Sequence, residues 1–298
     1  MFIFLHIQKT AGTTLRYLIN RNFPDSETLL VKLMTQAHWD SFLKNKPKNL
    51  SQLKLIYGHM KFGIHEHISG DCRYFTILRD PVSRVISHHR FLLSEAALPP
   101  GKKTLEEYVR WLSENNMDNH QTRVLAGSWF DNDTSAPSAP EMLERARKNL
   151  DEHFILAGIQ ERFTESIALL NILMGWENKS FVTRNVTSNK GISYPEKFEE
   201  ESKLKSLIKK NNEYDYELYD YAKSNFEKLI EIRRAEVNKA ISELNAQNSM
   251  KHRFIQRAYN LVESGSQLMK NRAPRFRKTI LNVLGPKIGK IWKGPPEL

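Results

Sequence analysis

Two short stretches hold side chains whose types and spacing could grip an anion. In HIQKTAGTT (residues 6–14), an apolar run ends in Lys9, Thr10, Ala11, Gly12, Thr13 and Thr14. From Thr14 onward Leu15, Leu18 and Ile19 recur at helical spacing. A strand, a small polar loop and a helix N-terminus leave free backbone N–H groups and a positive dipole end at one place. With Lys9 as its cation, that loop reads as a phosphate cradle. It is not the common phosphate loop G-x-x-x-x-G-K-[ST], because Lys9 precedes Gly12 instead of following it. By itself it could also be an ordinary strand-to-helix turn.

In LRDPVSRVISHHR (78–90), Arg79 follows a second apolar run. Asp80 is placed to cap a helix, and Pro81 suits its first position. Arg84, Ser87 and His88 then share one helix face. Arg79 and Ser87 could hold a second phosphate by charge and hydroxyl donation; the plainer alternative pairs Arg79 with Asp80. Two such junctions in one molecule point to a ligand with anionic groups at both ends.

The elements that must position these groups follow from the apolar pattern. Phe2–Leu5 has the unbroken apolar character of a strand buried on both faces. LKLIY (53–57), YFTIL (74–78), HFILAGI (153–159) and SFVTRN (180–185) extend the series, with amphipathic helices such as 104–112 and 167–174 between them. That alternation predicts an α/β domain with a largely parallel sheet, whose ligands bind beyond the carboxyl ends of the strands. FDNDTSAPSAP (130–140) reads as a loop, and residues 196–245 as charged helices. The domain is expected to span 1–245, followed by a basic tail over 246–298.

Composition narrows the function classes. The 298 residues are 40% hydrophobic, enough for a sizeable core, and no apolar run approaches a membrane span. The net charge of +11 is concentrated: residues 251–298 hold eleven Lys/Arg against two Glu, leaving about +2 for the rest. A globally basic nucleic-acid-binding surface is therefore not expected. The tail interleaves basic residues with Ile280, Leu281, Val283, Leu284, Ile288, Ile291 and Trp292, a pattern suited to peripheral contact with an anionic membrane. A tail packed on its own domain, or simply solvated, is the alternative. The single Cys72 excludes an internal disulfide. The first strand begins at Met1, leaving no room for a signal peptide, so a cytoplasmic location is expected. His65 and His67 flank Glu66, but i,i+2 spacing without a third ligand is a weak zinc pattern, and no metal is expected.

HIQKTAGTT and LRDPVSRVISHHR together resemble the paired 5′- and 3′-phosphate signatures of PAPS-dependent carbohydrate sulfotransferases. The similarity is nearest to the heparan sulfate 6-O-sulfotransferases and continues through NHQTRVLAG (119–127), ARKNLDEHFILAGIQERF (146–163) and YELYDYAKSNF (216–226). It implies a P-loop-like three-layer sulfotransferase fold, PAPS as co-substrate and a carbohydrate or glycolipid acceptor. On that resemblance Lys9 would meet the sulfonate, the loop through Thr14 the 5′-phosphate, and Arg79 with Ser87 the 3′-phosphate. His59, beside Gly58 just past a strand, would be the general base, since imidazole titrates near the working pH. TRNVTSNKGI (183–192) resembles the loop that closes over the nucleotide, making Arg184 and Lys190 candidates there. Asn119, Gln121 and Arg123 match a stretch near the acceptor, although helix packing would also account for them. A P-loop-like kinase and a non-catalytic nucleotide- or glycan-binding module are the rival readings. A kinase should show Gly-Lys-Ser/Thr and Mg²⁺-binding acids.

Overall fold

A computed structural model describes residues 1–128, 138–176 and 198–247. The strand proposed at 180–185, the candidates Arg184 and Lys190, and nearly all of the basic tail lie outside the described residues. The chain divides into two compact units, one of 1–179 with 184–241 and one of 180–183 with 242–298. Of the second, the described part is the end of a helix.

The larger unit is built on a five-stranded sheet. Its strands are β1 (Phe2–Leu5), β2 (Thr28–Lys32), β3 (Leu55–His59), β4 (Arg73–Leu78) and β5 (Phe154–Ile159), in the order β2-β3-β1-β4-β5. Every neighbouring pair is parallel. Parallel strands need long crossovers: α1 (Gly12–Asn22) lies between β1 and β2, α2 (Gln36–Lys44) between β2 and β3, and α3 (Pro81–Ser94), α4 (Leu105–Glu114), α5 (His120–Leu125) and α6 (Ala139–His153) between β4 and β5, while α7 (Phe163–Met174), α8 (Phe198–Asn211), α9 (Glu213–Ile232) and α10 (Arg234–Gln247) follow the last strand. This is the α/β architecture with a parallel sheet expected from the apolar pattern.

Ile3, Phe4 and Leu5 of β1 and Phe75, Ile77 and Leu78 of β4 are buried, which is why their sequences run unbroken rather than alternating. α1 covers the sheet with Leu15, Leu18 and Ile19. α3, α4 and α8 close a second cluster around Val85, Tyr108, Leu112, Leu204 and Ile208.

Two details depart from the sequence-based expectation. TLLVK forms an edge strand, β2, that was not foreseen; pairing on one side only leaves Leu30 exposed and the pattern weak. β3 also runs two residues further than the apolar run suggests, so His59 is its last residue and pairs with Lys32. Gly58 inside β3 permits a close backbone approach. Its φ is +142°, and a Cβ there would stand 2.0 Å from the Val31 carbonyl oxygen.

The order of strands decides where a ligand sits. From β1 the chain leaves toward the β2 edge, and from β4 toward the β5 edge. Their carboxyl ends therefore flank the crevice at the switch point, where open parallel sheets bind ligands. Both anion loops read from the sequence lie there.

Candidate active site

The loop after β1 is held by its own side chains. The Thr10 hydroxyl, fully buried, donates to the Ile7 carbonyl at 2.8 Å. Thr10 thus closes the turn with its hydroxyl hydrogen, leaving its main chain in the loop. Lys9 and Ala11 both adopt positive φ, 69° and 66°. That strain sits at the turn delivering Gly12 as the first residue of α1, a pattern associated with functional loops. Gly12 is required because a Cβ there would stand 1.8 Å from the His6 ring. No acidic residue occupies the first turn of α1, so its positive end is uncompensated from within. Thr13 is exposed there, while Thr14 is buried one residue on.

The second loop meets the first. Arg79 donates from Nη1 to the Lys9 carbonyl at 3.1 Å. Its Nε is buried without a hydrogen-bond partner among the described residues. Burial lowers the Arg79 pKa, opposed by Glu161 and Asp80, and an arginine so placed remains cationic. Asp80 caps α3, accepting from the Ser83 N–H at 2.7 Å, and also accepts from the Tyr216 hydroxyl at 3.1 Å. Its carboxylate is thereby committed to capping, not to a metal-bound phosphate. Ser87 is half-buried on α3 between Arg84 and Phe91. The Lys9 ammonium lies 4.4 Å from the Phe91 ring centre. Burial first, then Arg79, lowers the Lys9 pKa, with Glu95 opposing.

His59 completes the cluster. Its Nδ1 lies 2.9 Å from the His6 carbonyl. A carbonyl can only accept, so Nδ1 carries the proton and Nε2 keeps a lone pair. The His6 and His59 rings stack at 4.3 Å, and His6 feels both His59 and Lys9 electrostatically. Burial lowers the His59 pKa, the His6 carbonyl opposes this, and Lys32 adds to it. The imidazole is therefore neutral near pH 7, as a base requires.

Two further histidines reach this cluster. His88 Nδ1 lies 2.7 Å from the Tyr108 hydroxyl, and its pKa is pushed down to about 3, first by burial and then by Arg84, Lys9 and His59. His120, overlooked in the sequence, is also lowered well below the ordinary value by burial, Arg84, His88 and His59. Only their sequence neighbours, NHQTR and SHHR, hinted at them. His89 is buried and lies 3.1 Å from the Lys103 carbonyl. His65 contacts the Tyr74 hydroxyl at 2.8 Å, and no group of three metal-binding side chains is found among the described residues.

These depressed histidines make stability depend on pH. For His6, His59, His88 and His120 the folded pKa lies below the unfolded 6.5. Their contribution is complete above pH 6.5 and is lost as pH falls from 6.5 toward the folded values. Each proton excluded from the native state costs about 1.4 kcal/mol per pH unit in that window. Urea unfolding at pH 7.5 and 5.5 should show a marked loss at the lower pH; equal midpoints would refute it.

The three residues expected near an acceptor have structural partners instead. Gln121 is fully buried, and its amide both accepts from the Arg79 N–H at 3.0 Å and donates to the Arg79 carbonyl at 2.8 Å. Asn119 is buried and bonds to Asn211 and Asp215. Arg123 donates to the Asp118 carbonyl and pairs with its carboxylate at 3.4 Å. The side-chain amides of Asn119 and Gln121 are thus engaged within the fold.

Curated proteins with similar sequences include mouse galactose-3-O-sulfotransferase 2, 25% identical over 64% of this chain and 54% of its own. Cattle galactosylceramide sulfotransferase is 26% identical over 47% of this chain and 36% of its own. The chain therefore spans about half, or less, of the length of these relatives. Among solved structures, that of mouse sulfotransferase SULT7A1 complexed with PAP overlays loosely, with a TM-score of 0.37 and 15% identity over 70% of this chain and 62% of the other. The galactose-3-O-sulfotransferase family model matches residues 1–288. The chain therefore belongs to the galactose-3-O-sulfotransferase family.

Proposed function

We propose that this protein moves a sulfuryl group from PAPS to a hydroxyl of a galactose-bearing glycan or glycolipid. The observation that carries this reading is the 2.9 Å bond from His59 Nδ1–H to the His6 carbonyl, which leaves Nε2 as a base beside the Lys9 loop. A binding module has no need of a base so prepared. The names of the mouse and cattle relatives support galactose as the acceptor class.

The residues present fit the donor. Arg79 has a buried Nε awaiting an acceptor, and the positive end of α1 lies across the same crevice. Arg79 with Ser87 would hold the 3′-phosphate, and the backbone from Ala11 to Thr14 the 5′-phosphate. When bound, PAPS supplies the sulfuryl group and a phosphate leaving group. Lys9 contributes a fixed positive charge where negative charge grows on that side. His59 Nε2 takes the proton of the acceptor hydroxyl, while the His6 carbonyl holds the ring and stabilises the imidazolium that results.

Arg79→Ala should weaken PAP by tenfold to a hundredfold, the worth of a charge-assisted hydrogen bond of about 1.5–3 kcal/mol. Adenosine 5′-phosphate, which lacks the 3′ group, should bind nearly as before. Calorimetry with both ligands checks this, and equal weakening removes Arg79 from the 3′-phosphate. Transfer of labelled sulfate from PAPS to galactose-terminated glycans tests the activity itself. PAP binding without transfer to any hydroxyl acceptor would leave a binding module.

A further inference from the structure

We infer that Asp215 and Gln121 are positioning residues for Arg79, setting the aim of the donor-binding arginine from helix α9. The inference rests on the assignment of Arg79 to the 3′-phosphate.

α5 and α9 meet with their N-termini together, each capped by a side chain of the other. Asp215, third residue of α9 and fully buried, accepts from the α5 N–H groups of Gln121 at 3.2 Å and Thr122 at 2.8 Å, and from the Thr122 hydroxyl at 2.8 Å. In return Asn119 Oδ1 accepts from the Asp215 N–H at 3.1 Å. The Asn119 N–H donates to Asn212 Oδ1 at 3.0 Å, and its amide nitrogen to the Asn211 carbonyl at 3.1 Å. Two positive helix ends would repel one another; a single buried carboxylate between them removes that conflict. It also offsets the charge of buried Arg84.

The consequence reaches the site through Gln121. Its main-chain N–H is held by Asp215, and its side-chain amide clamps Arg79 on both backbone groups. Arg79 follows directly on β4, where the ladder with β5 ends at Leu78↔Ile159. Among the described residues no strand partner continues beyond it, so the buried amide of Gln121 takes the place of a sheet neighbour. With its backbone fixed, the guanidinium has its Nη1 on the Lys9 carbonyl and its Nε free for a ligand. A buried primary amide used in both directions has no tolerance for a shift, because either displacement leaves a desolvated group unpaired.

The test uses the full chain with Gln121→Met, which keeps volume and removes both bonds, and Asp215→Asn, which keeps the shape but turns one acceptor oxygen into a donor. Three readouts separate positioning from plain loss of stability. Amide hydrogen exchange at Arg79 should rise in Gln121→Met while core β4 amides such as Ile77 stay protected. PAP should weaken by about tenfold to a hundredfold, as expected of a misplaced binding group, with adenosine 5′-phosphate little changed. In transfer assays the KM for PAPS should rise more than kcat falls. Asp215→Asn should show the same pattern at smaller size. Unchanged Arg79 exchange in Gln121→Met, or equal weakening of both nucleotides in the two variants, would overturn the inference. If the parent protein does not prefer PAP over adenosine 5′-phosphate, the donor assignment fails, and Arg79 exchange still decides whether the clamp exists.

Discussion

Lys9→Ala should lower kcat/KM for sulfuryl transfer by a factor of about 10²–10³, the cost of removing one preorganised electrostatic donor. The fold should survive. The Lys9 side chain reaches out over the Phe91 ring and no core residue depends on it. Alanine at φ 69° carries the same backbone strain as lysine there, so the turn itself is not penalised further. The cation–π contact accounts for about 0.5–1 kcal/mol at such a half-exposed position. Single-turnover transfer from PAPS, beside a thermal melt, separates the two effects. Activity within threefold of the parent would take Lys9 out of the chemistry.

For His59→Ala the expected result is a fall in turnover of about 10²–10⁴, the usual share of a positioned base. PAP affinity should hardly change, because on the proposed reading His59 serves the acceptor hydroxyl and its Nδ1 bonds the His6 carbonyl. The pH dependence follows from the lowered pKa of His59. The base works when neutral, so kcat/KM in the parent should rise with pH through a value below 6.5 and be flat by neutrality. In His59→Ala that rise should vanish. A collapse of PAP binding in the calorimeter would instead make His59 a support for the His6–Gly12 contact, with the base elsewhere.

Much of this protein was legible in its sequence, for identifiable reasons. Strands buried on both faces announce themselves as unbroken apolar runs, so β1 and β4 were placed within a residue of their observed bounds. Loop chemistry is local too. Asp80 with Pro81 after a strand can do little but cap, and Lys9 to Gly12 between strand and helix can do little but turn.

Strand order and side-chain partners were not local, and only tertiary structure decided them. That Arg79 touches the Lys9 carbonyl depends on β4 lying beside β1, across 70 residues of chain. The base-ready tautomer of His59 depends on His6, 53 residues away. Asn119, Gln121 and Arg123 show the limit most plainly: polar side chains near a functional motif read as ligands until their partners are known. The Asn211 carbonyl and the Asp215 N–H hold the Asn119 amide, the Arg79 backbone holds that of Gln121, and Asp118 holds the Arg123 guanidinium, because a buried polar group must be satisfied by whatever the fold brings to it.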